Sequence, residues 1–593
     1  MVLVQNDIEN LVEQPPMFCY QCEQAGSGPN AEKGCFTSRG VCSKDHELSA
    51  LFDNVIAAAF HLAIHARPIV DQDEKIPKEW THALTTGFFL TLTNVDFDHE
   101  RVPEYIHNLY KCAQEAKQML QSRNLQPFQY PGEFGEKDSF QLRDYSPATT
   151  LDELKEQGRH FGVYRRLKNQ GVTVTGLQEV SLYGIKGIGA YSHHTEMLGG
   201  DVTNDGVGIV RILTDILKGE KHPLEIAKET GKLNLDTMTR LDSANVEAYG
   251  TPSFTRVNYG VRQGKAILMS GHDLRDLASL LKATEGTGIN VYTHGEMLMA
   301  NSYPKLREYS HLVGNFGSAW QNQRKEFSLF PGPIVVNTNC IMPARENYKD
   351  RLFTCNLVGL PGVTNIDYVE GNYPEKDWTP VIEMAKQLPG FESDGPPVFE
   401  NFLNDQVTGA NWRTTTPLVP AVIDLVKTGK LRRIVFVGGC DGSYPGRNYF
   451  TNVAQNIKDK HPDVAIAGSA CGVYRYVTTM DFGNIPGTEV PRFFHLGQCN
   501  DTFSGIQLVA AVAKELGAGL NDVPISYFVS WFEQKAVGIL LTLVYLGIKN
   551  IRLGPRLPAF FSPEALSVLK SELNLMHISD DAEKDLEAAL RGE

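Results

Sequence analysis

The sequence contains no run of lysine and arginine, no apolar stretch as long as a membrane helix, and no G-x-G-x-x-G cradle for a phosphate. Each absence removes a class of function. A nucleic-acid surface needs clustered positive charge, whereas here 56 Lys+Arg face 70 Asp+Glu, a net charge of −14 with His neutral. A membrane helix needs roughly 18–20 apolar residues. The longest run, 536–546, is shorter and reads as a buried helix. The first residues, MVLVQNDIENLVEQPPMF, lack the basic start and apolar core of a secretory signal. Asp7, Glu9 and Glu13, with no early Arg, also argue against a transit peptide. A reducing, cytoplasmic compartment is expected, with no nucleic-acid and no membrane partner. The ten cysteines are then expected to serve metal binding, redox chemistry or plain burial, not disulfides.

What is present is an ordinary globular composition, with 42% hydrophobic and 21% charged residues in a chain of 593. At ~150 residues per domain that length predicts roughly three or four domains. Residues 1–16 read as an N-terminal extension, followed by a compact cysteine-rich segment, 19–42. From about 47 to 249 the pattern is helical, in ELSALFDNVIAAAFHLAIHA, PEYIHNLYKCAQEAKQML, LDELKEQGRHFGVYRRL and GVGIVRILTDILKG. Apolar residues there recur every three or four positions, and the breaks fall at Pro and Gly. After about 261 short β-rich runs alternate with helical stretches: KAILMS, PIVVNT, RRIVFVGG, DVAIAGSA, RFFHLG, ISYFVS and NIRLG. That alternation predicts parallel sheets with helices on their faces. The fold class is therefore α/β with an N-terminal all-α part. The expected divisions are 17–261 (cysteine-rich segment plus helical bundle), 262–407 (first α/β domain) and 408–593 (second), with a seam at TGANWRTTTP.

Two constellations carry chemistry. The first is Cys19-x2-Cys22-x12-Cys35-x6-Cys42, four thiols interleaved with Gly26, Gly28, Gly34 and Gly40. Spacing alone leaves an iron–sulfur cluster and a four-cysteine zinc site both open. The second is scattered, and its places are informative. His272 follows KAILMS, Glu296 lies in NVYTHGE, Cys340 ends PIVVNTNC, Cys440 ends RRIVFVGGC, Cys471 follows DVAIAGSA, Cys499 follows RFFHLG, and Glu533 and Lys535 follow ISYFVS. Parallel α/β sheets bind ligands beyond the carboxyl ends of their strands, and each of these residues falls there. A lone Cys after a strand is usually a small buried hydrophobe, and Cys112 and Cys355 are read that way. Four cysteines in equivalent topological places are not so readily dismissed.

MFCYQCEQ, SGHDL, THGEM, NTNC, VGGCDGSYPGRNY, ACGVYRY, GQCND and WFEQKA, in this order, closely resemble the hybrid-cluster protein (prismane protein) family, usually described as hydroxylamine reductase. The resemblance runs from about residue 17 to the C-terminus. It implies a helical N-terminal domain, two Rossmann-like domains, and a hybrid [4Fe-2O-2S] cluster. Carried over, the hybrid-cluster ligands are His272, Glu296, Cys340, Cys440, Cys471, Cys499 and Glu533, with Lys535 beside them and Cys440 as a persulfide. Cys19, Cys22, Cys35 and Cys42 match the ligands of a second, electron-transfer cluster. Their spacing is nearer the family's [2Fe-2S] pattern than its [4Fe-4S] pattern. ACGVYRY carries Val473 where the family pattern has a basic residue, and the stretch between Cys440 and Cys471 is a few residues long; neither departure touches a ligand.

The implied activity is reduction of hydroxylamine to ammonia and water, with Glu296, Glu533, Lys535 and Cys440 as the catalytic candidates. Glu296 and Glu533 are the exchangeable ligands that open a place for substrate, Lys535 supplies charge or a proton, and an external reductase feeds the N-terminal cluster. Two other readings use the same residues: nitric oxide reduction, and a redox sensor or protein S-nitrosylating factor acting through Cys440. A monomer is expected.

Overall fold

The computed structural model describes residues 3–9, 15–26, 34–131, 142–366, 368–369, 375–442 and 448–593. The chain divides into two compact units. The first comprises Met1–Leu241, Phe532–Gly547 and Arg556–Glu572; the second comprises Asp242–Trp531, Ile548–Pro555 and Leu573–Glu593.

The first unit is helical. Its long elements are His46–Asp73, Lys78–Leu90, Val102–Ser122, Leu151–Phe161, Val163–Met197 and Thr203–Lys218. Local sequence explains where they start and stop. Asp45 caps the first, its carboxylate accepting from the Leu48 amide at 2.9 Å. Thr150 and Glu153 form a reciprocal capping box. The element Val163–Met197 is broken at Gly171, whose φ of 84° no helix accommodates. Phe60, Trp80, Phe88, Phe89 and Tyr191 fill the interior. The helix His46–Asp73 is long and apolar enough, by length and composition, to cross a membrane, and 83% of its most apolar window is buried inside the protein. Near the N-terminus the short helix Gln5–Glu9 is held by a bond from the Val172 amide to Gln5, with Leu3 and Ile8 buried.

The second unit contains the strands. A two-stranded antiparallel ribbon pairs β1 (Thr255–Asn258) with β8 (Asp405–Thr408). Between them lie β2 (Ala266–Ser270), β3 (Asn290–His294), β4 (Leu312–Asn315), β5 (Ile334–Val336), β6 (Leu352–Cys355) and β7 (Thr364–Ile366). They form one parallel sheet in the order β4-β3-β2-β5-β6-β7. The second parallel sheet has β9 (Arg433–Gly439), β10 (Val464–Ser469), β11 (Phe493–Gly497), β12 (Ile525–Ser530), β13 (Ile551–Gly554) and β14 (Met576–His577), in the order β11-β10-β9-β12-β13-β14. Strands β2, β3, β5 and β6 are buried at every residue, as a sheet covered on both faces requires. Both sheets run outward in one direction from their first strand and in the other from their fourth, which is the doubly wound order. Each therefore has a crevice where the direction reverses, between β2 and β5 in one and between β9 and β12 in the other.

Candidate metal centres

In the second unit the turns at these strand ends deliver the six predicted ligands found there, all buried. His272 stands two residues beyond β2 and Glu296 two beyond β3. Cys340 follows β5, Cys440 directly follows β9, and Cys471 and Cys499 each stand two residues beyond β10 and β11. Tight glycine turns make this possible. Gly271 has a φ of 133°, and a Cβ there would lie 2.0 Å from the Asn337 side-chain oxygen. Gly439 has a φ of 100°, and its Cβ would meet the Ser530 carbonyl at 2.2 Å. No other residue type allows both the conformation and the approach.

The side chains converge. His272 Nε2 lies 3.1 Å from Glu296 Oε2. The Cys471 thiol donates to Glu296 Oε1 at 2.8 Å, and the Cys499 amide donates to Glu296 Oε2 at 2.7 Å. His272, Glu296 and Cys499 offer ligand atoms that all lie within 4.8 Å of one another. Residues from both sheets thus meet on one carboxylate. Two further bonds draw in the remaining turns: Gln323 donates to the Cys340 carbonyl at 2.7 Å, and Trp320 to the carbonyl of Asp441, next to Cys440, at 3.0 Å. Residues 443–447 of the VGGCDGSYPGRNY motif lie outside the described residues.

Glu533 and Lys535 belong to the first unit and are buried there. Glu533 caps the helix Gln534–Tyr545, its carboxylate accepting from the Lys535 amide at 3.2 Å. Gln534, between them, donates to the Gln21 carbonyl at 2.9 Å and accepts from the Thr93 amide at 3.1 Å. The Glu23 amide donates to the Phe532 carbonyl at 3.0 Å. This loop is therefore bonded directly to the cysteine-rich segment of the same unit.

That segment gathers its four thiols. Cys19 and Cys35 face each other across an antiparallel bridge, with N–H···O distances of 3.2 and 2.8 Å. The loop carrying Cys42 is closed by Gly40 donating to Lys44 at 2.8 Å, and a Cβ on Gly40 would lie 3.5 Å from Cys42 Sγ and 3.7 Å from Cys35 Sγ. Cys19, Cys22, Cys35 and Cys42 line one cavity. Gly28 lies outside the described residues. Cys112 and Cys355 are both buried.

A family model for the Prismane/CO dehydrogenase family matches residues 17–587. The chain belongs to that family. Full-length relatives include proteins named hydroxylamine reductase. That from Methanocella arvoryzae is 39% identical over 583 residues, covering 97% of this chain and 100% of the relative. That from Thermodesulfovibrio yellowstonii is 40% identical over 587 residues, with the same coverage. Among solved structures, the alpha subunits of acetyl-CoA synthase/carbon monoxide dehydrogenase align with a TM-score of 0.53 at 16% identity, over 99% of this chain and 88% of theirs. A carbon monoxide dehydrogenase from Thermococcus sp. AM4 aligns at 0.52, also at 16% identity, over 99% of this chain and 92% of its own. These two likenesses are of fold. Membership in the prismane/CO dehydrogenase family implies iron–sulfur clusters.

The donor atoms of this family member suit such a group. The Thr338 hydroxyl accepts from the His272 amide at 2.7 Å and is hydrogen-bonded to His272 Nδ1 at 2.9 Å. With Nδ1 engaged by Thr338, Nε2 is the ring nitrogen that faces Glu296 Oε2. An imidazole nitrogen and a carboxylate oxygen 3.1 Å apart, with the Cys499 thiol close by, form a donor set that a metal ion could share. Burial, and then the negative charge of Glu296 and Cys340, pushes the Cys471 thiol well above its usual range. Burial, followed by Cys42, Cys35 and Cys19, does the same to Cys22. A bound metal reverses each of these influences. The sequence reading missed Thr338, whose only signal is its place two residues before Cys340. It also missed two buried cations beside the N-terminal thiols. Burial pulls the Lys44 ammonium down to about 8, which still leaves it protonated at neutral pH, and burial lowers Lys186 as well.

Proposed function

We propose that the chain is an iron–sulfur oxidoreductase that reduces hydroxylamine, NH2OH taking up two electrons and two protons to give ammonia and water. His272, Glu296, Cys340, Cys440, Cys471, Cys499 and Glu533 would hold a hybrid [4Fe-2O-2S] cluster, with Cys440 as a persulfide. Cys19, Cys22, Cys35 and Cys42 would hold a [2Fe-2S] cluster that receives electrons from an external reductase. The observation that carries this reading is the meeting of an imidazole, a carboxylate and two thiols from two sheets on Glu296, in a chain matched end to end by relatives named hydroxylamine reductase.

When bound, the hybrid cluster supplies an electron-rich Lewis acid for an N–O bond. The chain's own residues do the rest. Thr338, hydrogen-bonded to Nδ1, would orient the His272 ring so that Nε2 faces Glu296 and the metal. Glu296 accepts from the Cys499 amide, which helps fix its carboxylate while leaving it a weaker holder of iron than a thiolate. Lys535, buried beside Glu533, would bring an ammonium proton toward the departing oxygen. Burial of all these groups keeps bulk water from competing.

The test is anaerobic purification followed by iron and acid-labile sulfide analysis, EPR, and turnover of hydroxylamine and nitric oxide with a chemical reductant. About six iron atoms per chain, with sulfide, are expected, two for a [2Fe-2S] and four for a hybrid cluster. Hydroxylamine should be turned over to ammonia. Protein holding mostly zinc and no labile sulfide would overturn the reading.

A further inference from the structure

The four N-terminal thiols share their cavity with charges that no ligand assignment uses. Lys44 is buried, donates to the Leu92 carbonyl at 2.6 Å, and lies 4.2 Å from the centroid of the Phe52 ring. Lys186, also buried, donates to the Gln21 side chain at 2.9 Å, and Gln21 sits between Cys19 and Cys22. Both ammonium groups are thus anchored by neutral oxygens. Arg166 and Glu179 line the same cavity but are bonded to each other, both fully buried, so their charges offset. Asp53 is the remaining acid, and burial pushes its carboxyl up to about 7, so it is only partly ionised at neutral pH. Lys44 and Lys186 are thus two lining cations whose described hydrogen bonds go to neutral oxygens and not to a carboxylate.

An iron–sulfur centre on four thiolates carries net negative charge at either oxidation level and whichever cluster it is, and one-electron reduction adds one charge more. A fixed cation therefore stabilises the reduced centre more than the oxidised one. Away from water the effect is strong and poorly screened. We propose that Lys44 and Lys186 raise the reduction potential of the centre held by Cys19, Cys22, Cys35 and Cys42, so that electrons from an external one-electron donor are drawn into the chain at this end. The inference rests on the reading that these cysteines hold an iron–sulfur cluster.

The test is an EPR-monitored redox titration of the anaerobically purified full chain and its variants. Lys44→Gln and Lys186→Gln should each lower the midpoint, with the reduced-to-oxidised ratio at a fixed applied potential falling tenfold or more, about 59 mV for a one-electron couple. Lys186→Arg, which keeps the charge, should stay near the parent. Gln21→Leu, which removes the hydrogen-bond partner and leaves the ammonium, should shift the midpoint less than Lys186→Gln. The difference should persist at roughly 1 M salt, where the screening length is about 3 Å and exposed charges fall silent. Each lysine is replaced singly, so loss of the centre in one variant leaves the other to decide. Unchanged midpoints in Gln variants that retain iron and sulfide would overturn the role of the lysines. Parent protein without iron and sulfide on these cysteines would overturn the cluster reading itself.

Discussion

Replacing Thr338 with valine tests the candidate hybrid site at the point where the fold controls a ligand most directly. Valine has threonine's shape without its hydroxyl, so packing is kept and two contacts to His272 are lost. The backbone N–H of His272 is buried and its described partner is this hydroxyl. Leaving such a donor unsatisfied costs about 1–3 kcal/mol. The imidazole also loses the hydroxyl partner at Nδ1 that orients the ring toward Glu296. Loss of an outer partner to a ligating His typically costs ~10–100-fold in metal affinity, or about 1.4–2.7 kcal/mol. Thr338→Val should accordingly lower thermal stability, reduce the iron held at the hybrid site, and leave the N-terminal centre's EPR signal unchanged. Thr338→Ser restores the hydroxyl and should restore both iron and stability. Anaerobic iron analysis with EPR, beside melting curves of the same preparations, measures all three. Full iron occupancy with an unaltered hybrid signal in Thr338→Val would refute the idea that this hydroxyl sets the histidine.

Three further outcomes are expected. Cys22→Ser should spare the hybrid centre's spectrum and slow hydroxylamine turnover more with a protein reductant than with a small chemical one; equal loss with both would contradict a relay role for the N-terminal centre. Glu533→Gln should retain most of the iron, since the other ligands remain, yet lower kcat by about tenfold or more through loss of the exchangeable charge, and full turnover would show that Glu533 has no catalytic part. Burial holds His61 down to about 3 and His65 down to about 4, so between pH ~6.5 and ~4 the unfolded chain binds protons that the folded chain refuses. Stability should fall as pH drops through that window by about 1.4 kcal/mol per pH unit for each ring, and His61→Gln should make the decline of the melting temperature between pH 7 and 5 shallower; an unchanged decline would show that His61 does not titrate this way.

The layered α/β architecture was legible because uninterrupted apolar strands such as KAILMS and PIVVNT can only be buried on both faces. The order of the strands was not. Nothing local to β2 or β5 says that they pair with each other, since that pairing closes a long loop around β3 and β4. The helix His46–Asp73 escaped a count of apolar runs because His61, His65 and Arg67 interrupt it, although its mean hydropathy reaches that of a membrane span. The N-terminal cysteines announced themselves by spacing, whereas Lys44 and Lys186 look like ordinary surface lysines until the helix carrying Lys186 is seen to pack against Gln21. Thr338 was hidden for a related reason: its task is defined by a histidine 66 residues away.

The doubly wound order also explains why so few local signals suffice to build a metal site here. In a nucleotide-binding sheet the turn after the first strand is glycine-rich, so that backbone amides can approach a phosphate. In this chain glycines stand at the corresponding places, Gly271 after β2 and Gly439 at the end of β9, with His272 and Cys440 immediately behind them. The close approach that glycine permits here precedes a candidate ligand side chain instead of a phosphate-binding amide. A predicted ligand also follows the fourth strand of each sheet in sequence. Beyond β5 come Thr338 and Cys340, and beyond β12 the chain crosses into the first unit and reaches Glu533 within three residues. A crevice that exists because the strand order reverses within a parallel sheet thus needs only a change of side chains, not of topology, to exchange an anion-binding rim for one that could hold a metal.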